Sequence, residues 1–261
     1  MPKFWGRIVN GDCMKGYEPS TYGNRIAALY DDWYQTAVDP TPTANFLAAL
    51  LARSNARKAV ELGVGTGRVA IALQSLGVAV TGIEASEAML ARLREKPGGR
   101  HITTVIGDFE EVPVEGLFPL VYVAFNTFFW LPSQDSQQRC LQNVASHLEP
   151  DGYFVLDAFV PEIDYYERGQ RLTVTELLGS GAALDVSLHD PQRQTITANH
   201  VVLTTTGAHL YPVLIRYAWP SEIDALAAAA GLRLVERWAD YDRNPFGPGS
   251  RQHVSVYTRA K

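Results

Sequence analysis

The 261-residue sequence contains only two cysteines, Cys13 and Cys140, and they lie far apart in the chain. Such a pair provides neither a disulfide framework nor the clustered spacing of a metal site. No apolar run reaches the length of about eighteen residues that a membrane-spanning helix needs, and the first residues lack the apolar core of a signal peptide. We therefore expect no bound metal, no membrane partner and a cytoplasmic location.

Positive charge is also scarce, because 23 Lys and Arg residues stand against 28 Asp and Glu residues and give a formal net charge of -5. Binding to nucleic acid normally needs a clustered positive field around the phosphates. No run of Lys and Arg is longer than a pair, so we expect no nucleic-acid partner. The 46% hydrophobic and 20% charged content is typical of a globular chain, here long enough for one large domain or a domain with an insertion.

What the sequence does contain is a glycine-rich junction in the first half of the chain. An apolar strand runs into Glu61 and then into Gly63, Gly65 and Gly67, which begin a helix. Glycine lets the backbone turn sharply and approach a ligand closely. The start of the following helix directs its free N–H groups to the same place. The junction therefore predicts a loop that binds a nucleotide-like cofactor.

Two classes of cofactor fit this loop. Gly65, Gly67 and Ala70 match the dinucleotide fingerprint, and Glu84 follows at about the 20-residue distance of that fingerprint. Glu61, however, places an acidic residue directly beside the glycines. A carboxylate repels a pyrophosphate at short range in a partly dry site, whereas it attracts the ammonium and sulfonium groups of S-adenosylmethionine. Glu61 therefore favours the methyl donor.

The frame Glu61-x-Gly63-x-Gly65-x-Gly67 resembles motif I of the class I S-adenosylmethionine-dependent methyltransferases. Later segments resemble further motifs of that family in the same order: a strand ending at Glu84, a strand ending in Gly107-Asp108-Phe109, a strand ending at Asn126, and a helix, turn and strand around 148–156. Motifs in this order across roughly residues 57–160 make the resemblance specific. The resemblance extends over nearly the whole chain, but outside these residues it is less specific.

The resemblance implies S-adenosyl-L-methionine as cofactor and S-adenosyl-L-homocysteine as product. It implies that Glu84 accepts the ribose hydroxyls, that Asp108 pairs with the adenine amino group, and that Phe109 packs on the ring. For Tyr34 and Met89, packing in the core is as good an explanation as contact with the cofactor. The residues expected to bind the cofactor are Tyr22, Tyr34, Glu61, Gly63, Gly65, Thr66, Gly67, Glu84, Ala85, Met89, Asp108, Phe109 and Asn126.

The segments around these motifs predict the rest of the fold. Helical spacing of apolar residues predicts one helix from Ser20 to about Val38 and a second helix capped by Thr43. The aromatic stretch Thr127–Pro132 follows a strand end, where ligands bind in doubly wound sheets. It is therefore either a pocket wall or part of the core.

Residues 163–219 do not resemble the motifs before them. Their alternating and β-branched segments predict an antiparallel meander inserted after the fifth strand. The sequence thus predicts an α/β fold: a Rossmann-like, doubly wound sheet of seven strands with a C-terminal antiparallel hairpin, plus an inserted antiparallel β-sheet lid. We expect one methyltransferase domain over residues 1–261. Its parts are an N-terminal helical cap at about 1–56, a cofactor-binding core at about 57–162 and 220–261, and the insertion at about 163–219.

The resemblance implies methyl transfer to a nitrogen or oxygen of a small-molecule acceptor of the metabolite or amino-sugar type. We expect the inserted sheet to bind that acceptor, with His209, Arg216 and Tyr217 as candidate catalytic residues. His200 and Tyr241 are further polar residues expected near the mouth of the site. The alternatives are an NAD(P)-dependent oxidoreductase and a catalytically silent cofactor-binding protein. The inserted sheet is also compatible with a homodimer, since exposed sheets often pair.

Overall fold

The computed structural model of the chain describes residues 14–34, 39–52 and 56–260. Cys13 and the predicted helix end at Val38 lie outside these ranges. Among the described residues, no helix is long and apolar enough to cross a membrane. In the same part of the chain, no group of three or more His, Cys, Asp or Glu side chains is placed to hold a metal ion.

The described chain folds into seven helices and eleven strands, apart from short 3-10 turns. In chain order these are α1 (Thr21–Ile26), α2 (Tyr30–Tyr34), α3 (Thr41–Leu51), β1 (Lys58–Leu62), α4 (Arg68–Ser75), β2 (Ala79–Glu84), α5 (Glu87–Glu95), β3 (Thr103–Ile106), β4 (Phe118–Val123), α6 (Gln134–His147), β5 (Leu148–Phe159), β6 (Gln170–Leu178), β7 (Gly181–Asp190), β8 (Thr195–Thr204), β9 (Gly207–Arg216), α7 (Pro220–Ala229), β10 (Leu232–Trp238) and β11 (Gln252–Arg259).

The larger sheet has seven strands in the order β10-β11-β5-β4-β1-β2-β3. Strands β1 to β5 pair in parallel, and β11 lies antiparallel between β5 and β10. The order reverses at β1 and β4, so a crevice opens at the carboxyl ends of these strands. The predicted α/β fold with its C-terminal antiparallel hairpin is confirmed.

Helices cover both faces of this sheet, and successive strand residues enter opposite cores. In β4, Val121 and Val123 join the core beside α6 and α7, while Leu120 and Tyr122 join the core beside α3, α4 and α5. All four are buried to 1% exposure or less. Complete burial of one such apolar side chain contributes about 1.5–3 kcal/mol. This two-sided burial fixes the strand ends that carry the candidate site.

The insertion forms a separate four-stranded antiparallel sheet in the order β6-β7-β8-β9, as the sequence predicts. The last strand ends earlier than predicted, at Arg216 rather than Trp219. Pro220 begins α7 directly afterwards, because proline suits the first turn of a helix and not a paired strand. The division of the chain into cap, core and insertion stays a prediction.

The N-terminal region differs from the single helix predicted after Ser20. It contains α1 and α2, which are separated by a turn. Ile26 of α1 packs against Tyr211 and Val213 of the inserted sheet, whereas Asp31 of α2 reaches the glycine loop. One straight helix cannot make both sets of contacts.

The start of the next helix also differs from the prediction. Helix α3 begins at Thr41 with Pro42 in its first turn, and Thr43 is a buried residue inside the helix rather than its cap.

Candidate active site

A cavity of about 950 Å³ lies beyond the carboxyl ends of the parallel strands. We call it the donor cavity. The predicted cofactor residues that line it are Tyr22, Gly63, Gly65, Glu84, Ala85, Met89, Asp108 and Phe109. The residues that complete the wall are Tyr17, Glu18, Pro19, Gly23, Tyr30, Thr127, Trp130, Leu131, Pro132 and Leu214. Leu214 belongs to the inserted sheet, so the insertion contributes to this cavity as well.

The glycine loop forms one side of the donor cavity. Gly63, Gly65 and Gly67 all have left-handed backbone angles, with φ of 70°, 54° and 79°. A Cβ at Gly63 would lie only 2.5 Å from Cγ2 of Thr127. Only glycine adopts this conformation without strain, so the loop needs glycine both for its turn and for its close packing.

Gly63→Ala is expected to destabilise the fold by roughly 2–3 kcal/mol, from left-handed strain plus the clash with Thr127. Gly77→Ala is the matched control, because Gly77 has φ of 81° but nothing lies within 4 Å of its added Cβ. The control should lose only about 1–2 kcal/mol. Urea unfolding measures both values. Equal losses would show that Thr127 does not restrict the loop.

Two carboxylates of the donor cavity are held by backbone N–H groups. The Oε2 atom of Glu84 accepts from the Gly65 N–H at 2.9 Å, and its Oε1 atom accepts from the Ser86 N–H at 3.0 Å. The Oδ1 atom of Asp108 accepts from the Glu110 N–H at 2.9 Å. Burial raises the pKa of both carboxyl groups. These bonds fix the orientation of acceptors that face a ligand in the cavity.

Glu61 does not line the donor cavity. It lies beneath the glycine loop with 4% exposure, where the hydroxyl of Tyr122 donates to its Oε2 atom at 2.9 Å. Burial raises the pKa of Glu61 to about 8. Its carboxylate therefore does not face the donor cavity. Glu61 instead braces the strand that carries the loop.

Four other predicted cofactor residues lie beside or behind the cavity wall: Tyr34, Thr66, Gly67 and Asn126. Tyr34 reaches the wall indirectly, since its hydroxyl lies 3.2 Å from the hydroxyl of Tyr22. Asn126 has a left-handed φ of 63°, and its Oδ1 atom accepts from the Phe159 N–H. The carboxylate of Asp157 holds the same turn by accepting from the Asn126 N–H and the Tyr241 hydroxyl. Asn126 and Tyr241 therefore shape the strand ends.

A polar cluster fastens α2 over the glycine loop. The Lys96 ammonium donates to Oδ1 of Asp31 at 2.6 Å and to the Thr66 hydroxyl at 2.8 Å, and that hydroxyl also donates to Asp31. Asp31 lies in α2, one helical turn before Tyr34, whose hydroxyl lies beside that of Tyr22. The residue before Asp31, Tyr30, lines the donor cavity. The cluster thus holds one wall of the cavity closed.

Lys96→Met is expected to weaken binding of S-adenosylhomocysteine about two- to fivefold, mainly through faster dissociation, because a partly buried ion pair of this kind contributes about 0.5–1 kcal/mol. The control is Arg94→Met, two residues before Lys96, whose exposed pair with Glu87 lies outside the cavity wall. Stopped-flow fluorescence measures the dissociation rates. A rate unchanged in Lys96→Met, or raised equally in both variants, would contradict the role of the cluster.

Aromatic side chains form a further part of the wall of the donor cavity. The rings of Tyr22 and Trp130 lie 4.3 Å apart, and burial raises the pKa of Tyr22 well above its ordinary value. The Tyr22 hydroxyl therefore stays protonated. The stretch Thr127–Pro132 fulfils both predicted roles, because Trp130 faces the cavity while Phe128 and Phe129 are fully buried in the core.

A second cavity lies between the inserted sheet and the end of β5, and we call it the acceptor cleft. It opens to solvent, and the space between its walls, with the solvent at its mouth included, is about 1460 Å³. Alternate residues of the inserted strands face it, as period-two geometry requires. The strand residues in its wall are Arg171, Thr173, Asp185, Ser187, Ile196, Ala198, His200 and Ile215. Residues from the neighbouring segments are Phe159, Val160, Pro161, Glu162, Ile163, Tyr165, Tyr166, Tyr217 and Arg251.

The walls of the two cavities come into contact at His200. This residue lies in the wall of the acceptor cleft, and its ring centroid is 6.4 Å from that of Tyr22, which lines the donor cavity. Its Nδ1 atom donates to Oδ1 of Asp185 on the neighbouring strand. The side chain keeps 28% of its surface exposed. A polar, accessible group thus stands where the two cavities meet.

The structure separates the three residues predicted to be catalytic. His209 shares the face of Tyr211 but lies two residues further along the strand, where it is exposed and outside both cavities. Arg216 points to the opposite face and is buried against Gln137, Gln194 and Glu222. We therefore assign neither residue to the site.

Tyr217, the third of these residues, does line the acceptor cleft. Its hydroxyl lies 2.7 Å from Nε2 of His189.

Comparisons with known proteins agree with this geometry. Residues 59–152 match the family model described as a methyltransferase domain. Among solved structures, the CcbJ methyltransferase from Streptomyces caelestis is 43% identical, covers 94% of this chain and 100% of its own, and superposes with a TM-score of 0.87. The chain belongs to the S-adenosylmethionine-dependent methyltransferases.

Two further relatives of this methyltransferase extend the comparison. The cypemycin N-terminal methyltransferase of a Streptomyces species is 28% identical over 245 residues, which are 93% of this chain and 99% of that protein. The structure of CalS10 with S-adenosylmethionine bound, an amino pentose methyltransferase from Micromonospora echinaspora, shares the fold with a TM-score of 0.66 and 22% identity. It covers 89% of this chain and 97% of its own. The oxidoreductase alternative receives no support.

Proposed function

We propose that this methyltransferase transfers the methyl group of S-adenosylmethionine to a nitrogen atom of a small molecule held in the acceptor cleft. The observation that carries the proposal is the adjacency of the two cavities at Tyr22 and His200, whose ring centroids are 6.4 Å apart. A donor in one cavity and an acceptor in the other would meet at this place. Methyl transfer needs such a meeting of two sites.

The donor cavity fits S-adenosylmethionine on its own chemistry. The carboxylate of Glu84, already held by two backbone N–H groups, has further lone pairs for the ribose hydroxyls. Asp108 can accept from the adenine amino group, and the left-handed glycines allow close approach of the ligand. When bound, S-adenosylmethionine supplies an electrophilic methyl group on a sulfonium and becomes S-adenosylhomocysteine.

The acceptor cleft fits a small molecule that carries an amine. Its wall combines carboxylates, Glu162 and Asp185, with apolar side chains such as Ile196 and Ile215. Glu162 is paired with Arg251 at 3.3 Å. Asp185 is bonded to His200, whose ring contacts Tyr22 of the donor cavity. Two relatives, one named an N-terminal methyltransferase and the other an amino pentose methyltransferase, support nitrogen as the methylated atom.

In this proposal the chain contributes chiefly by holding the two reactants close and excluding water. Intramolecular orientation of this kind can account for about 7–11 kcal/mol of a reaction barrier. Trp130 and Tyr22 shield the meeting point, and the protonated Tyr22 hydroxyl can only position a neighbouring atom. The inserted sheet then serves as the acceptor-binding lid.

The experiment is a transfer assay with radiolabelled S-adenosylmethionine and a panel of amino sugars, amino acids and dipeptides, each matched with its hydroxyl analogue. We expect labelled product from amines and little from the hydroxyl analogues. Labelling of hydroxyl compounds alone would contradict nitrogen as the acceptor. No labelling from any compound, with normal cofactor binding, would favour the catalytically silent alternative.

We also propose a homodimer and a cytoplasmic location. The homodimer is suggested by apolar side chains on the outer strand of the inserted sheet, where Leu172 is 66% exposed and Val174 is 57% exposed. Exposed edges of this kind often pair with a second copy. Sedimentation velocity of the wild type and of Leu172→Lys tests this, and a monomeric wild type would contradict it.

A further inference from the structure

We propose that His200 is the catalytic base of the transfer and that Asp185 is its positioning residue. This inference rests on the proposed function, because it concerns the proton of the acceptor bound in the acceptor cleft. It goes further by naming the group that removes the proton.

The pairing register of the inserted sheet builds the pair. Asp185 lies directly opposite His200, and His200 lies directly opposite Tyr211. Residues that face each other across antiparallel strands keep their side chains on one face, about 4.5–5.5 Å apart at Cβ. The bond from Nδ1 to the Asp185 carboxylate assigns the ring proton to Nδ1. The Nε2 atom is then the ring's proton acceptor.

The surroundings hold the ring in place and keep it near the donor cavity. Trp33 lies edge-on to the His200 ring with centroids 6.1 Å apart, and Tyr22 lies 6.4 Å away on the donor side. An imidazole fixed by a carboxylate and by aromatic edges can act repeatedly in one orientation. The partial exposure of its side chain leaves a path for the proton to reach solvent.

Other titratable groups near the meeting point are less suited to this role. Burial keeps the Tyr22 hydroxyl protonated. The His189 ring is engaged with the Tyr217 hydroxyl, and Glu162 is paired with Arg251. His209 is exposed outside both cavities.

The acceptor R–NH3+ gives one proton to Nε2 of His200 and becomes R–NH2. The nitrogen lone pair of R–NH2 forms the new N–CH3 bond while the carbon–sulfur bond of the methyl donor breaks, and that bonding pair stays on sulfur. The product leaves as R–NH2+–CH3, and the imidazolium returns its proton to solvent.

The pH dependence of this step involves every charged group around the ring. Asp185 faces His200 from β7, Tyr211 from β9, and Tyr22 from α1. The other titratable residues of the cleft wall are Glu162, Tyr165, Tyr166, Arg171, Tyr217 and Arg251. Among these groups, only the Asp185 carboxylate has a bond to the His200 ring.

The test compares His200→Gln and Asp185→Asn with the control His209→Gln, which changes an exposed histidine on the same face of the same sheet. The probe is the amine of the panel that the wild type methylates fastest, assayed over pH 6–10. We expect His200→Gln to lower kcat about 10²- to 10⁴-fold, to shift the pH profile so that the rate rises with pH across the range, and to regain rate with added imidazole. Asp185→Asn should lose about 10- to 100-fold.

Binding of S-adenosylhomocysteine, measured by calorimetry, should be unchanged in all three variants. A His200→Gln variant with the wild-type pH profile, or one that loses cofactor binding and turnover together, would overturn the inference while the proposed function stands. A panel in which only hydroxyl compounds are methylated would overturn both the amine assignment and this inference. A panel with no methylated compound would contradict the proposed function itself.

Discussion

Glu84→Ala is expected to weaken binding of S-adenosylhomocysteine by about 3 kcal/mol, or roughly 100-fold. The carboxylate of Glu84 lines the donor cavity and would accept both ribose hydroxyls. The same carboxylate holds the Gly65 and Ser86 N–H groups at 2.9 and 3.0 Å. Its removal therefore costs ligand contacts and also loosens the loop. Glu84→Gln should lose less, because one amide oxygen still accepts.

Calorimetric titration measures these affinities, and Glu87→Ala is the matched control. Glu87 lies three residues further along the chain, and its carboxylate pairs with Arg94 at the surface with 65% of its side chain exposed. Surface pairs of this kind contribute little, so the control should bind as the wild type does. An unchanged affinity in Glu84→Ala would mean that the ribose is held elsewhere.

Arg216→Ala is expected to lower the free energy of unfolding by about 3–5 kcal/mol, because it leaves buried partners without their charge. The Arg216 guanidinium has 3% exposure and donates to Gln137, Gln194 and Glu222. This cluster joins the inserted sheet to α6 and α7. The melting temperature should fall by on the order of 10 °C.

The control for Arg216 is Arg193→Ala, which removes an arginine whose side chain is 81% exposed and lies 3.9 Å from Asp190. Its unfolding should be nearly unchanged. Differential scanning calorimetry compares the two variants, and methyl transfer below the melting temperature supplies the second measurement. A normal melting temperature with lost turnover would return Arg216 to the catalytic role that the sequence suggested.

The donor half of the site could be predicted because its residues follow strand ends. Parallel strands bring their carboxyl ends to one edge of the sheet, so Glu84 at the end of β2 and Asp108 just after β3 had to lie near the glycine loop. Glu61 shows the limit of this reasoning. Its position beside the glycines indicated the class of cofactor. Its burial beneath the loop, however, depends on Tyr122, which reaches it from a neighbouring strand.

The acceptor half could be predicted only as a sheet. Period-two alternation shows which residues share a face, and it correctly places His209 and Tyr211 together. The alternation does not show which residues of that face line the cleft, because this depends on the pairing register of the strands and on how the inserted sheet packs against the rest of the chain. The pairing of His200 with Asp185 follows from the turn after β7, and no local pattern in the sequence specifies it.

A crystal structure of the chain grown with S-adenosylhomocysteine tests the two-part site most directly. The ligand is expected to occupy the donor cavity, with its ribose against Glu84 and its base against Asp108, and to leave the acceptor cleft free. A ligand bound in the acceptor cleft, or one that touches neither carboxylate, would contradict the division of the site into donor and acceptor halves.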